Sequence, residues 1–281
     1  MGVLLALAIA WLYAETLAGL GREWLSSPDA SYGVVLAAVA AAVAWQRRER
    51  VARACAEPAT HRSAGVFILL AGLLLFLAGQ LGADVFLTRL SLVAVLAGTL
   101  WFVAGAAVVR VLAAPLAFVL MAVPLPALIV NAVTLPLQFT ASQIAESTLV
   151  TAGVAVFRDG NVLELPSATL QVAEACSGLR SLVSLTAIAV LLAWATPGQS
   201  RLARVTMVAA AMPVAIVMNG LRIAGIGLAC EAWGPRMASG AWHTLSGWLT
   251  FAASAAVLIA IQRIIAPDRA APPAIEGAAA A

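Results

Sequence analysis

The sequence predicts an all-α polytopic membrane protein, with about eight transmembrane helices and a small β-hairpin outside the bilayer. Three observations carry this expectation. Of 281 residues, 63% are hydrophobic and only 10% are charged, less than half the charged share of ordinary soluble domains. Mean hydropathy is +1.01, which a soluble protein of this size could not reach while keeping a polar surface. The apolar residues also fall in repeated runs, many of them near the roughly 20 residues needed to cross a hydrocarbon core. A soluble globular enzyme, a disordered chain and a fibrous repeat are thereby excluded.

In chain order the apolar runs are residues 3–20, 33–46, 64–80, 90–108, 111–130, 178–195, 205–221 and 245–262. The first has no basic cluster before it and no small-residue cleavage site after it, so it reads as a retained span. The second is short unless it extends back through Tyr32. Residues 131–152 are interrupted by Asn131, Thr134, Gln138, Thr140, Ser142, Gln143 and Glu146, a pattern that suits an amphipathic interfacial or partly buried helix better than a span. Asp159-Gly160 then lies between Val154/Val156 and Val162/Leu163/Leu165, a turn signal that predicts a β-hairpin within 153–175 on the outer surface. Residues 1–265 read as one integral-membrane domain and the Ala/Pro-rich tail 266–281 as disordered. No internal repeat of the transporter kind is visible.

Arginine placement sets the expected orientation. All 16 basic residues are arginine; in so apolar a chain they describe loop placement and not nucleic-acid binding. Arg47, Arg48, Arg50, Arg53 and Arg62 form the densest cluster, which the positive-inside rule puts in the cytoplasm. Counting onward, Arg110, Arg201, Arg204, Arg263 and Arg269 fall on the same side. The other face receives 20–31, 81–89, 131–176 and 222–243.

Polar groups at the edge of membrane helices are expensive, and three stand out: Cys176, Arg222 and His243. Some 20 residues separate Cys176 from the turn before Arg201, 18 steps separate Arg204 from Arg222, and 20 separate His243 from Arg263. At 1.5 Å per residue these are all about 27–30 Å of helix, close to the thickness of the hydrocarbon core. All three groups are thus expected at one outer interface, on three different spans. Cys176 opens its helix, where free N–H groups and the positive dipole end favour a thiolate. An imidazole can take the thiol proton and later protonate a leaving amine. A guanidinium can stabilise the thiolate or a tetrahedral oxyanion. Each group also has an ordinary explanation: a core cysteine, an arginine reaching for headgroups, and a histidine in an aromatic belt with Trp242 and Trp248.

The words around them resemble a known family. Glu174-Ala175-Cys176-Ser177-Gly178-Leu179-Arg180-Ser181-Leu182 resembles the nucleophile motif of the exosortase/archaeosortase family of integral-membrane cysteine transpeptidases. Asn219-Gly220-Leu221-Arg222-Ile223 is similar to its Asn-x-x-Arg-Ile segment, and His243-Thr244-Leu245-Ser246-Gly247-Trp248 to its His-x-x-x-Gly motif. Ser31-Tyr32-Gly33 resembles the Tyr-Ser-His-Gly stretch without its histidine, and Met121-Ala122-Val123-Pro124-Leu125-Pro126 the proline-rich segment before the hairpin. The resemblance runs from about residue 28 to 262. It implies Cys176 as nucleophile, Arg222 as anion-stabilising partner and His243 as general acid/base, with no cofactor or metal. It also implies a bacterial inner-membrane protein with a periplasmic site. Its partners would be exported proteins carrying a Pro-Glu-Pro-like motif, a transmembrane helix and a basic cluster.

Several neighbouring residues admit more than one role. Asn219 is one turn before Arg222, placed to orient the guanidinium or to make a helix–helix contact. Arg180, one turn after Cys176, is placed to support the thiolate, to bind a substrate carboxylate, or to pair with Glu174. Glu174 is a turn residue or a direct participant. Ser177 and Gly178 suit a tight helix entry. Cys230 is a rival nucleophile without a polar motif, Cys55 belongs to the Arg-rich inner loop, and His61 reads as solvated. Two other functions fit the composition: a transporter lined by Arg222, Arg180 and Glu174, and a non-catalytic scaffold for polysaccharide export.

Overall fold

The computed structural model describes residues 2–27, 30–57, 62–172, 179–196 and 198–265. The chain divides into two compact units, Met1–Ala132 and Val133–Ala281. It is a polytopic helical membrane protein: five helices are long and apolar enough to cross a bilayer, or six if one bent pair is a single span.

The first unit holds α1 (Gly2–Leu12), α2 (Ala14–Ser26), α3 (Tyr32–Gln46), α4 (Arg48–Ala56), α5 (Arg62–Leu81), α6 (Val85–Ala104), α7 (Ala106–Val111) and α8 (Ala113–Met121). The run 3–20 is not one straight helix. It bends by 58° between α1 and α2, at Tyr13, whose hydroxyl is hydrogen-bonded to Ser91 Oγ on α6 at 2.8 Å. Burying that hydroxyl without a partner would be costly, so the bond outweighs helix continuity there.

The α5–α6 hairpin is packed on glycine. A Cβ at Gly65 would lie 2.5 Å from Phe102 N, and one at Gly98 2.5 Å from Leu69 N. Only bare backbones can approach this closely, the usual basis of tight helix pairs in lipid. Asp84 caps α6, its carboxylate accepting from Leu87 N at 2.9 Å. Nearby, Glu23 pairs with Arg89 at 2.6 Å, which joins the stretches 20–31 and 81–89.

The expected span 111–130 is broken. Helix α8 stops at Met121, and α9 (Ala127–Thr151) begins after Pro124 and Pro126, which lack the N–H groups needed to continue a helix. Residues 131–151 consequently belong to one continuous helix, itself long and apolar enough to span. Three of its polar interruptions, Thr134, Gln138 and Ser142, are buried inside the protein, and Ser142 Oγ donates to Gln138 O at 2.8 Å; Asn131, Thr140 and Gln143 are exposed.

The second unit contains the rest of α9, strands β1 (Phe157–Asp159), β2 (Val162–Glu164) and β3 (Thr169–Gln171), α10 (Leu179–Ala195), α11 (Arg201–Trp233), a 3-10 turn (Pro235–Ala238) and α12 (Gly240–Ile265). The strands form an antiparallel sheet in the order β1-β2-β3. The expected hairpin is present, but its turn is Gly160-Asn161, because Asp159 pairs with Val162. Gly160 has φ 61°, a conformation glycine adopts without strain. The third strand was not expected.

Helix α11 is the axis of this unit. Its 33 residues measure about 50 Å, some 20 Å more than the hydrocarbon core. The first half packs Met207, Ala211 and Ala215 against Leu185, Ala189 and Ala193 of α10 and Leu258 of α12. The second half runs past Arg222, where an external loop was expected, and buries Ile223, Ala224, Ile226 and Cys230 against α9 and the sheet. Apolar burial thus explains why the helix does not stop at the polar residue.

Candidate active site

The connection from α11 to α12 brings two of the singled-out side chains together. Gly234 (φ 91°) ends α11 and Gly240 (φ 67°) opens α12; both backbones are in the left-handed half of φ space that glycine tolerates. Between them, Met237 and Ala238 pack on the core cluster that contains Ile223 and Ile226. The connector therefore returns along the projecting part of α11, and α12 starts beside Arg222 instead of beside Trp233.

Arg222 is then held by α12 on three acceptors. Its Nη2 lies 3.2 Å from His243 Nε2 and donates to His243 O at 3.1 Å. Its Nε donates to Ser246 Oγ at 3.3 Å, and that hydroxyl donates to His243 O at 2.8 Å. A guanidinium has donors only, so His243 Nε2 accepts, and its imidazole is neutral with the proton on Nδ1. Both side chains are half-buried, which keeps the charge close to low-dielectric surroundings while leaving access.

Gly247 makes this approach possible. A Cβ there would stand 3.3 Å from Arg222 Nη2 and 3.5 Å from its Cζ. Ser246 and Gly247 were part of the quoted motif, but their roles were not foreseen. A serine three residues after a histidine on one helix face was the available signal. Asn219 is buried one turn before Arg222.

A polar frame ties the sheet to α9 and α11. Arg158 Nε bonds Glu146 Oε2 of α9. Asn161 Nδ2 donates to Gln138 Oε1 at 3.0 Å and to Val172 O at 3.1 Å. At the far turn, Ser167 donates through N and Oγ to Glu231 Oε1 of α11, at 3.0 and 2.6 Å. Val172, whose N donates to Asn161 O at 2.9 Å, belongs to the same core cluster as Ile223.

Glu174, Cys176, Ser177 and Gly178 lie outside the described residues, as does the side chain of Arg180; His61 lies outside them too. Cys176 is four residues beyond Val172 and three before the start of α10. The rival thiol, Cys230, is fully buried in the apolar cluster, and Cys55 is exposed on α4.

A family model described as transmembrane exosortase matches residues 24–260. No curated protein and no solved structure matches the chain significantly.

Proposed function

Because the chain belongs to the transmembrane exosortase family, we propose that it is a membrane-embedded cysteine peptidase acting on exported proteins anchored in the same bilayer. The observation that carries this reading is the contact between Arg222 and His243. Two costly polar groups, on separate helices, meet within hydrogen-bonding distance. The nucleophile in this reading is Cys176. It lies four residues after Val172 in the sequence.

The reaction then runs as follows. The Cys176 S–H proton moves to His243 Nε2, and the thiolate attacks the scissile carbonyl carbon. Arg222 stabilises the oxyanion of the tetrahedral intermediate. The C–N bond breaks, and the imidazolium returns its proton to the departing amine. A thioester remains on Cys176. An acceptor amine or water attacks it, the C–S bond breaks, and the proton goes back to the thiolate by way of His243. The Nε2 lone pair that receives the proton is the one occupied by Arg222 in the resting site, so an incoming carbonyl or carboxylate that draws off the guanidinium also frees the base. Arg180 and Glu174 serve the substrate side of this reading, Ser177 and Gly178 shape the entry to α10, and Asn219 orients Arg222.

The proposed substrate carries a Pro-Glu-Pro-like motif, a transmembrane helix and a basic cluster, and is cut at the periplasmic face of a bacterial inner membrane. The chain would make eight crossings, with the short apolar helices Tyr32–Gln46 and Ser181–Ala195 counted beside the longer ones and a single net crossing over residues 106–151. Processing of such a substrate by Cys176→Ala, Arg222→Gln and His243→Ala proteins tests the reading. Loss in all three is expected, and normal processing by Cys176→Ala would end it.

A further inference from the structure

In the first unit, α4 lies against α7, and the groove between them is lined by Arg50, Arg53, Arg110, Glu57, Ala54 and Val111. Three guanidiniums face a single carboxylate. The groove is a built feature, since Arg47 Nη1 donates to Val111 O at 2.8 Å and ties the start of α4 to the end of α7. Arg53 Nε donates to Glu49 O, and Arg110 Nε to Ala106 O, each at 3.4 Å. Those bonds hold the two stems along their own helices, and Arg50, Arg53 and Arg110 all line the groove. Among the described residues, none of the three arginines enters an ion pair.

The position indicates what fills it. Helix α4 follows directly on the apolar helix α3, and α7 follows directly on α6, so the groove lies where apolar helices end. Trp45 is 70% exposed there, with the Arg48 guanidinium 5.2 Å from its ring centroid. An exposed indole with a cation stacked on it is suited to the headgroup layer of a bilayer. Planar NH2 forks match phosphate oxygens in pairs. We propose that this groove binds the phosphate of an anionic phospholipid headgroup.

Full-length protein in nanodiscs of equal phosphatidylglycerol and phosphatidylcholine, analysed for co-purifying lipid by native mass spectrometry, tests this. The wild type should retain phosphatidylglycerol selectively. Each of Arg50→Gln, Arg53→Gln and Arg110→Gln should weaken that preference about fivefold, equivalent to roughly 1 kcal/mol per basic residue near the surface. The triple variant should lose about a hundredfold on the same scale. Arg201→Gln/Arg263→Gln, which removes as much charge elsewhere as two of those changes, should retain the preference. Glu57→Gln should strengthen it, a change that misfolding cannot imitate. An unchanged triple variant, or equal loss in the Arg201/Arg263 variant, would overturn the proposal. So would displacement by millimolar inorganic phosphate together with no preference between the two lipids, which would assign the groove to a soluble anion.

Discussion

Replacing Gly247 by alanine separates stability from activity with opposite signs. Alanine favours a helix interior over glycine by about 0.8–1 kcal/mol, so α12 should become intrinsically more stable. The new Cβ, however, would stand 3.3 Å from Arg222 Nη2 and 3.5 Å from Cζ, so the guanidinium must withdraw by a few tenths of an ångström. Its contacts with His243, at 3.2 Å to Nε2 and 3.1 Å to O, would stretch to about the 3.5 Å limit of a hydrogen bond. The displaced guanidinium then meets the transition-state oxyanion less well, and losing one hydrogen bond to a charged group there costs about 1.5–3 kcal/mol, roughly a 10- to 150-fold fall in rate. Substrate cleavage and the thermal melting of purified protein, measured side by side, form the assay. A slower enzyme that melts no lower than wild type is expected. Cleavage within twofold of wild type would refute the claim that the position of Arg222 serves the reaction.

Other outcomes follow from the same geometry. Ser246→Ala removes the acceptor for Arg222 Nε and should slow cleavage about tenfold, the effect of roughly one hydrogen bond to a charged group, as read from single-turnover rates. Cys230→Ala should leave cleavage intact, because that thiol is fully buried in the apolar cluster. Gly65→Ala, by contrast, forces a Cβ to 2.5 Å from Phe102 N, and overpacking of this kind costs about 1–3 kcal/mol; a lower melting temperature of the purified protein checks it. Glu146→Arg should weaken cleavage through the displaced sheet, and adding Arg158→Glu should restore part of it, with only about 0–1 kcal/mol at stake for so accessible a pair.

Much of this arrangement was legible in the sequence, and the exceptions have physical causes. Arg222 and His243 could be placed at one depth because helix rise is fixed and the inner arginines give a common origin. Their actual contact depends on the connector, where Gly234 and Gly240 redirect the chain, and no periodicity reports that. Helix α11 was expected to end near Arg222 because polarity usually marks a membrane boundary. It continues because its upper face packs on the sheet, a burial that a hydropathy profile cannot distinguish from lipid contact. The hairpin showed in Asp159-Gly160, yet β3 holds only three residues and depends on pairing with β2. The bend at Tyr13 was likewise hidden, since it follows from a hydroxyl meeting Ser91 78 positions later. Pro124 and Pro126 interrupt an apolar run that hydropathy alone makes a single span, and α9 starts after them at Ala127.

The convergence of sulfur, guanidinium and imidazole is tested most directly without any substrate, by alkylating the full-length protein with iodoacetamide at neutral pH. Peptide mass spectrometry gives the rate at each cysteine. In the proposed site a guanidinium and a helix N-terminus raise the thiolate fraction of Cys176, so it should react well ahead of the exposed Cys55, and Arg222→Gln or His243→Ala should bring it down toward the Cys55 rate. A Cys176 rate equal to that of Cys55 and indifferent to both substitutions would contradict a shared site.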